Sequence, residues 1–184
     1  MIEKAMKIME EEGLEALSLR RLGQELDVNF ASLYHHFSGK DDILESVARA
    51  ALRTIELPPL NEDWAEWICG AAVGYRRLLV EKPYLIPLML SGYHPRTVAT
   101  AINEAKLEEA GIPEEMRAEI IFALDSTVVG SALVTIASSN GKVKSGDAQH
   151  FDHEKILRNT IRVLLDSYCN QSRGRRKGAN KSGA

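Results

Sequence analysis

The chain has 184 residues, 45% hydrophobic and 27% charged, with a formal net charge of −3. That length holds one sizeable core with a small module, or two compact units, and the composition is that of an ordinary globular protein. The net charge excludes a broadly basic protein that coats nucleic acid, so any DNA affinity must come from a local patch and from shape. Cys69 and Cys169 lie far apart and belong to no CxxC or Cys/His spacing, which reads as free thiols in a reducing cytoplasm. Charges or prolines interrupt the apolar runs, so no membrane span is expected. The opening stretch MIEKAMKIMEEEG has no basic leader followed by an apolar core. A cytoplasmic location is expected.

From Ile2 to Glu12 the pattern sets Ile2, Ala5, Met6 and Met9 on one helical face, and Gly13 is a left-handed stop. Ser18 can cap a second helix with Leu19, Leu22 and Leu26 at helical spacing. Asp27 breaks that helix, Val28 packs the corner, and Asn29 can cap a third helix carrying Leu33, Tyr34 and Phe37. Two short helices joined by a tight turn make a helix-turn-helix, whose second helix suits a DNA major groove. A fourth helix opens at Lys40, with Asp41 and Asp42 where the helix dipole favours negative charge. Its stripe of Ile43, Leu44, Val47, Ala51, Leu52 and Ile55 runs on to the Pro58-Pro59 break.

Beyond the prolines the period stays helical. Asn61 or Asp63 starts a helix from Trp64 to about Glu81, followed by a short apolar piece from Tyr84 to Leu90. Pro95 to Thr97 lead into a helix that stops at Ala110-Gly111. Another runs from Glu114 to about Ser138, with Pro113 at its first turn. Residues 141–149 read as polar loop, and Asp152 caps a last helix through Cys169. The end, Gln171 to Ala184, carries Arg173, Arg175, Arg176, Lys177 and Lys181 without an apolar anchor, and is expected to be disordered. The fold class is all-α: a helix-turn-helix domain over residues 1–55 that includes the connecting fourth helix, a second helical domain over 56–170, and a basic tail over 171–184.

LEALSLRRLGQELDVNFASLYHHFSGKDDIL resembles the DNA-binding region of the TetR family of bacterial transcriptional regulators. The matching positions are Gly13, Ser18, Arg20, Leu22, Gly23, Leu26, Val28, Leu33, Tyr34, His36, Phe37, Lys40 and Leu44. The family's corner glycine is Asp27 here, a residue that tolerates the left-handed conformation. On this resemblance, Phe30, Ala31 and Ser32 open the recognition helix and face base edges. Phe30 and Ala31 lack hydrogen-bonding groups and can read only thymine methyls or shape; Ser32 can bond base or phosphate. Tyr34, His35 and His36 are placed to reach phosphates, and Lys40 clamps the backbone. Ser18 and Arg20 make the matching contact across the groove, unless Arg20 is an exposed or internally paired arginine. Residues 1–55 set seven Lys and Arg against ten Asp and Glu. Affinity therefore relies on a few positioned cations or on the basic tail.

The resemblance also implies that the second domain encloses an effector pocket and dimerises. Candidate pocket residues are Trp64, Trp67, Tyr75, Tyr84, Met89, Tyr93, His94, Phe122, Asp125 and Val129, of mixed apolar and polar character. The 114–138 helix is more apolar than one buried face needs, as is the last helix, and two from each subunit could form a four-helix interface. Leu124, Val128, Ser131, Ile161, Leu164 and Tyr168 are the expected contacts, with an intramolecular core as the alternative. The stretch is distantly similar to the C-terminal domain of tetracycline repressors, without placing that group's ligands.

His150 and His153, with Asp152 and Glu154, lack a further ligand for a metal site, and the adjacent His35 and His36 point apart. No nucleophile–base–orienter set, phosphate loop or catalytic carboxylate pair is evident. No metal, cofactor or enzyme activity is expected. The expected function is a homodimeric repressor of a palindromic double-stranded DNA operator, released by a small molecule. The alternatives are the same fold without such an effector, or a helical interaction protein that does not bind DNA.

Overall fold

A computed structural model describes residues 1–93, 98–139 and 151–179, and every regular element among them is a helix. The chain divides into two compact units: Met1–Ile55 with Glu81–Thr97, and Glu56–Val80 with Val98–Ala184.

In the first unit, α1 (Ile2–Glu12) buries Ala5, Ile8 and Met9. Gly13 ends it at φ 89 and ψ 168, a mirror-extended conformation open to glycine rather than the expected left-handed helical one. A single 3-10 turn, Leu14–Ala16, brings Leu17 into the core. α2 (Leu19–Leu26) starts at Ser18, whose hydroxyl oxygen accepts from the Arg21 amide at 3.1 Å. It ends at Asp27 in the left-handed region (φ 54, ψ 44), where the amides of Asp27 and Val28 return to the carbonyls of Gln24 and Gly23. Asn29 then caps α3 (Phe30–Leu33) through its side-chain oxygen and the Ala31 amide, 2.9 Å apart.

α3 is only four residues long, and Tyr34 to His36 continue it as a tighter turn with i→i+3 bonds. Such a helix is too short to hold itself. It is held by Leu33 and Phe37, both buried, each worth about 1.5–3 kcal/mol of burial. α4 (Lys40–Leu52) packs Ile43, Leu44, Val47, Ala48 and Ala51 against α1 and against α6 (Leu85–Leu90). It stops at Leu52, short of the expected Ile55, because Thr54 folds back and its hydroxyl donates to the Ala51 carbonyl.

The second unit contains α5 (Trp64–Glu81) up to Val80, α7 (Val98–Glu109), α8 (Glu114–Ser139) and α9 (His153–Ala179). Of the two candidates Asn61 and Asp63, Asp63 caps α5, and Asp152 caps α9 as its spacing predicts. Gly111 (φ +74) turns the chain from α7 toward Pro113 and α8. The core is Trp67, Ile68 and Leu79 of α5, Leu107 of α7, Met116, Ile120, Leu124, Val128 and Ala132 of α8, and Leu157, Ile161 and Leu165 of α9.

Two expectations change. α9 runs to Ala179, past the expected end at Cys169, and takes in Gly174 and Gly178. Residues 180–184 and the expected loop at 141–149 lie outside the described residues, as do Pro95 to Thr97. The expectation that charges break every apolar run fails in α8, where an 18-residue window has a mean hydropathy of 1.9. Asp125 is the one charge between Ile120 and Ser139. That apolarity comes from two faces, an inward one and an exposed one described below.

Candidate nucleic-acid interface

α2 and α3 meet at Gly23. A Cβ there would stand 3.1 Å from Cα and Cβ of Phe30 and from the Val28 carbonyl oxygen, so the bare backbone lets α3 seat this close. With Leu33 and Phe37 turned inward, Phe30, Ala31, Ser32, Tyr34, His35 and His36 are all exposed. Phe30 is 47% exposed, Tyr34 57% and Val28, at the corner, 45%. Three exposed large apolar side chains within seven positions are an unusual concentration on a small module, and mark a contact surface. A shallow groove of about 600 Å³ runs beside Phe30, bordered by Arg20, Gln24 and Asp27.

The hydrogen bonds refine what each polar group can offer. Ser32 spends its hydroxyl proton on the Asn29 carbonyl at 2.7 Å, which leaves its oxygen as an acceptor. Asn29 uses its side-chain oxygen on the cap, and its amide nitrogen has no partner among the described residues. Its spacing marks Asn29 only as a cap; the exposed donor at the head of α3 emerges from the structure. Ser18, half-buried, accepts from Arg21 and so retains its proton to donate.

Arg20 is exposed and makes no ion pair with a described residue. Lys40 Nζ lies 3.5 Å from Glu15 Oε2, and that carboxylate side chain is 95% exposed. Both cations flank the apolar strip in sequence. Several of the module's acids are engaged elsewhere. Arg21 bonds Glu12 at 2.6 Å and Glu25 at 3.0 Å, while Lys7 and Lys4 reach Glu25 at 3.2 and 3.5 Å. Lys7 and Arg21 hold the Glu25 carboxyl down to about 2, and Glu12 and Glu25 raise the Arg21 guanidinium. Asp41 accepts from the Tyr93 hydroxyl at 2.6 Å, and Asp42 from the Ser38 amide at 3.0 Å.

The expected effector pocket is redistributed. Trp67 is fully buried, with its indole N–H donating to the Pro58 carbonyl at 3.1 Å, and is core. Met89 and Tyr93 belong to the first unit with α4 and α6, together with half-buried Tyr84. Phe122 is 74% exposed and lines no interior. His94 lies outside the described residues. Trp64 and Val129 are half-buried, and Tyr75 sits near Asp125, where burial first and that carboxylate second push its phenol up.

Of the expected dimer contacts, Leu124, Val128 and Ile161 are core within the single chain. Ser131 accepts from Arg76, Tyr168 donates to Glu119, and Leu164 is half-buried. Periodicity finds two apolar faces on α8 but cannot tell which turns inward. The exposed one is Phe122, Ser126, Gly130 and Val134 at i+4 spacing with Leu133 beside them, and on α9 Ile156 and Val163 are exposed too. At the start of α9, Asp152 is the cap and both Glu154 oxygens bond Arg77. His150 lies outside the described residues.

Residues 1–47 match the family described as bacterial regulatory proteins, tetR family. Over those residues the chain is similar to the TetR family. It is 34% identical over 82 residues to the class C tetracycline repressor protein of Escherichia coli, a segment covering 43% of this chain and 37% of that one. An HTH-type transcriptional repressor of Mycobacterium tuberculosis is 27% identical over 188 residues, covering 97% of this chain and 71% of that one. Among solved structures, Mycobacterium smegmatis BioQ superposes with a TM-score of 0.72 at 25% identity, over 92% of this chain and 95% of that one. The exposed face from Val28 to His36 lies within the matched residues.

Proposed function

We propose that the chain is a cytoplasmic transcriptional repressor that binds a palindromic double-stranded operator as a homodimer and leaves it when a small molecule binds. The observation that carries this reading is the solvent-facing strip on α3, seated against Gly23 and flanked by Arg20 and Lys40. Phosphate contacts position such a module and base contacts specify the sequence. Lys40, Arg20, Tyr34, His35, His36 and the Ser18 hydroxyl serve as the positioning set. Ser32, as an acceptor, suits the amino group of cytosine or adenine, and the Asn29 amide nitrogen suits a base or phosphate acceptor. Phe30 and Ala31 read thymine methyls and groove shape.

Dimerisation would bury the Phe122–Val134 stripe of α8 with Ile156 and Val163 of α9, and set two α3 helices one helical turn of DNA apart. The small molecule is sensed in the second unit. It can act only by binding better to a conformation that mis-spaces the two recognition helices. The covalent link is direct. α4 leads into residues 56–63, which the second unit grips through Trp67 on the Pro58 carbonyl and Lys106 on the Glu62 carbonyl.

Selection of bound sequences from random duplexes tests the reading. Enrichment of an inverted repeat with half-sites about 10 base pairs apart is the expected outcome. Failure to enrich any sequence would refute it.

A further inference from the structure

Arg76 on α5 is 5% exposed, yet among the described residues no carboxylate reaches ion-pair distance of it. Its guanidinium is held by neutral groups alone: Nε donates to Ser131 Oγ at 3.0 Å and Nη2 to Thr135 Oγ1 at 2.6 Å. The Thr135 hydroxyl donates to the Ser131 carbonyl at 3.0 Å, which turns its oxygen toward the arginine as an acceptor. The nearby acids are engaged. Both Glu154 oxygens bond Arg77, at 2.7 and 2.6 Å, and Asp152 caps α9. Glu154 and Asp152 attract Arg76 only from beyond ion-pair distance, and a buried cation without a direct counter-charge is costly.

The geometry says which donors are free. Ser131 and Thr135 occupy the Nε/Nη2 edge, so Nη1 and the outer Nη2 hydrogen remain. These form the end-on fork that matches two carboxylate oxygens. The flanking positions Ala72, Val73, Leu79, Val128 and Ala132 on the same stretches of α5 and α8 are all buried and apolar. A single positive charge in apolar surroundings matches a monoanion with an apolar body better than a dianion.

We propose that Arg76 anchors the carboxylate of the small molecule this protein senses, an apolar monocarboxylic acid, through its Nη1/Nη2 edge. This rests on the reading of the second unit as the sensing unit.

The full chain is titrated with octanoate and benzoate, and with octanamide and benzamide as uncharged matches, by calorimetry and by thermal unfolding. At least one acid should bind about tenfold or more tighter than its own amide. That preference should fall roughly 10- to 100-fold in Arg76→Gln. Arg76→Lys, which keeps the charge and loses the fork, should retain only part of it, and serves alone if Arg76→Gln does not fold. Equal binding of acids and amides, or a preference that survives both substitutions, overturns the proposal. Operator release by the same compounds separates the two readings. Release by an amide without preference for its acid removes the Arg76 anchor and leaves small-molecule sensing in place. An operator complex and an unfolding temperature that no compound changes remove both.

Discussion

Lys40 is held between a carboxylate and, on the proposed reading, a DNA phosphate. Its Nζ lies 3.5 Å from Glu15 Oε2 in the free protein, and the Glu15 side chain is 95% exposed. An exposed pair of this kind is worth about 0–1 kcal/mol, so it restrains Lys40 without fixing it. Lys40→Ala should remove one phosphate contact per subunit, two per dimer. The slope of log affinity against log salt should then become shallower by about 1.8. The same term makes binding roughly 60-fold weaker at 0.1 M salt, with the loss vanishing toward 1 M. Glu15→Gln frees the lysine and should tighten binding by at most about fivefold per subunit. Fluorescence anisotropy on a selected operator across a salt series measures both, together with the double substitution. An equal gain from Glu15→Gln in the Lys40→Ala background would refute the competition, and an unchanged salt slope in Lys40→Ala would remove Lys40 from the DNA.

Gly23→Val should cost about 1–3 kcal/mol in urea unfolding by forcing α2 and α3 apart. Gly23→Ala should be near neutral, because a helix gain of about 0.5–1 kcal/mol offsets a shift of a few tenths of an ångström. Glu25, held down to about 2 by Lys7 and Arg21, adds stability that is full above its unfolded pKa of about 4.3 and is lost as pH falls toward 2. Glu25→Gln should therefore be less stable than the parent at neutral pH and flatten the acid limb of its unfolding-temperature curve. Phe122→Glu puts a charge on the exposed α8 stripe and should leave the fold intact while giving a monomer by sedimentation equilibrium; a dimer of unchanged strength would exclude that stripe.

Local chemistry made most of the helices legible from sequence. Ser18, Asn29, Asp63 and Asp152 are short polar side chains placed just before apolar periodicity, and each one caps the helix expected of it. Asp27 takes the left-handed turn that its small polar side chain tolerates. What sequence could not supply is orientation and long-range pairing. α8 carries apolar residues on two faces, and only packing decides that Leu124 and Val128 turn inward and Phe122 outward. Met89 and Tyr93 sit beside α4 because residues 81–93 fold back into the first unit, a long-range event with no local signal. The count of ten acids against seven bases in residues 1–55 likewise says nothing of the pairing by which Arg21, Lys7 and Lys4 gather around Glu25 from two helices.

Sequence preference measured for α3 variants tests the central proposal most directly. Random-duplex selection repeated with Phe30→Ala and with Ser32→Ala should relax preference at one or two positions in each half-site, symmetrically, and leave the half-site spacing as in the parent. An unchanged preference in both variants would contradict the placement of α3 in the major groove.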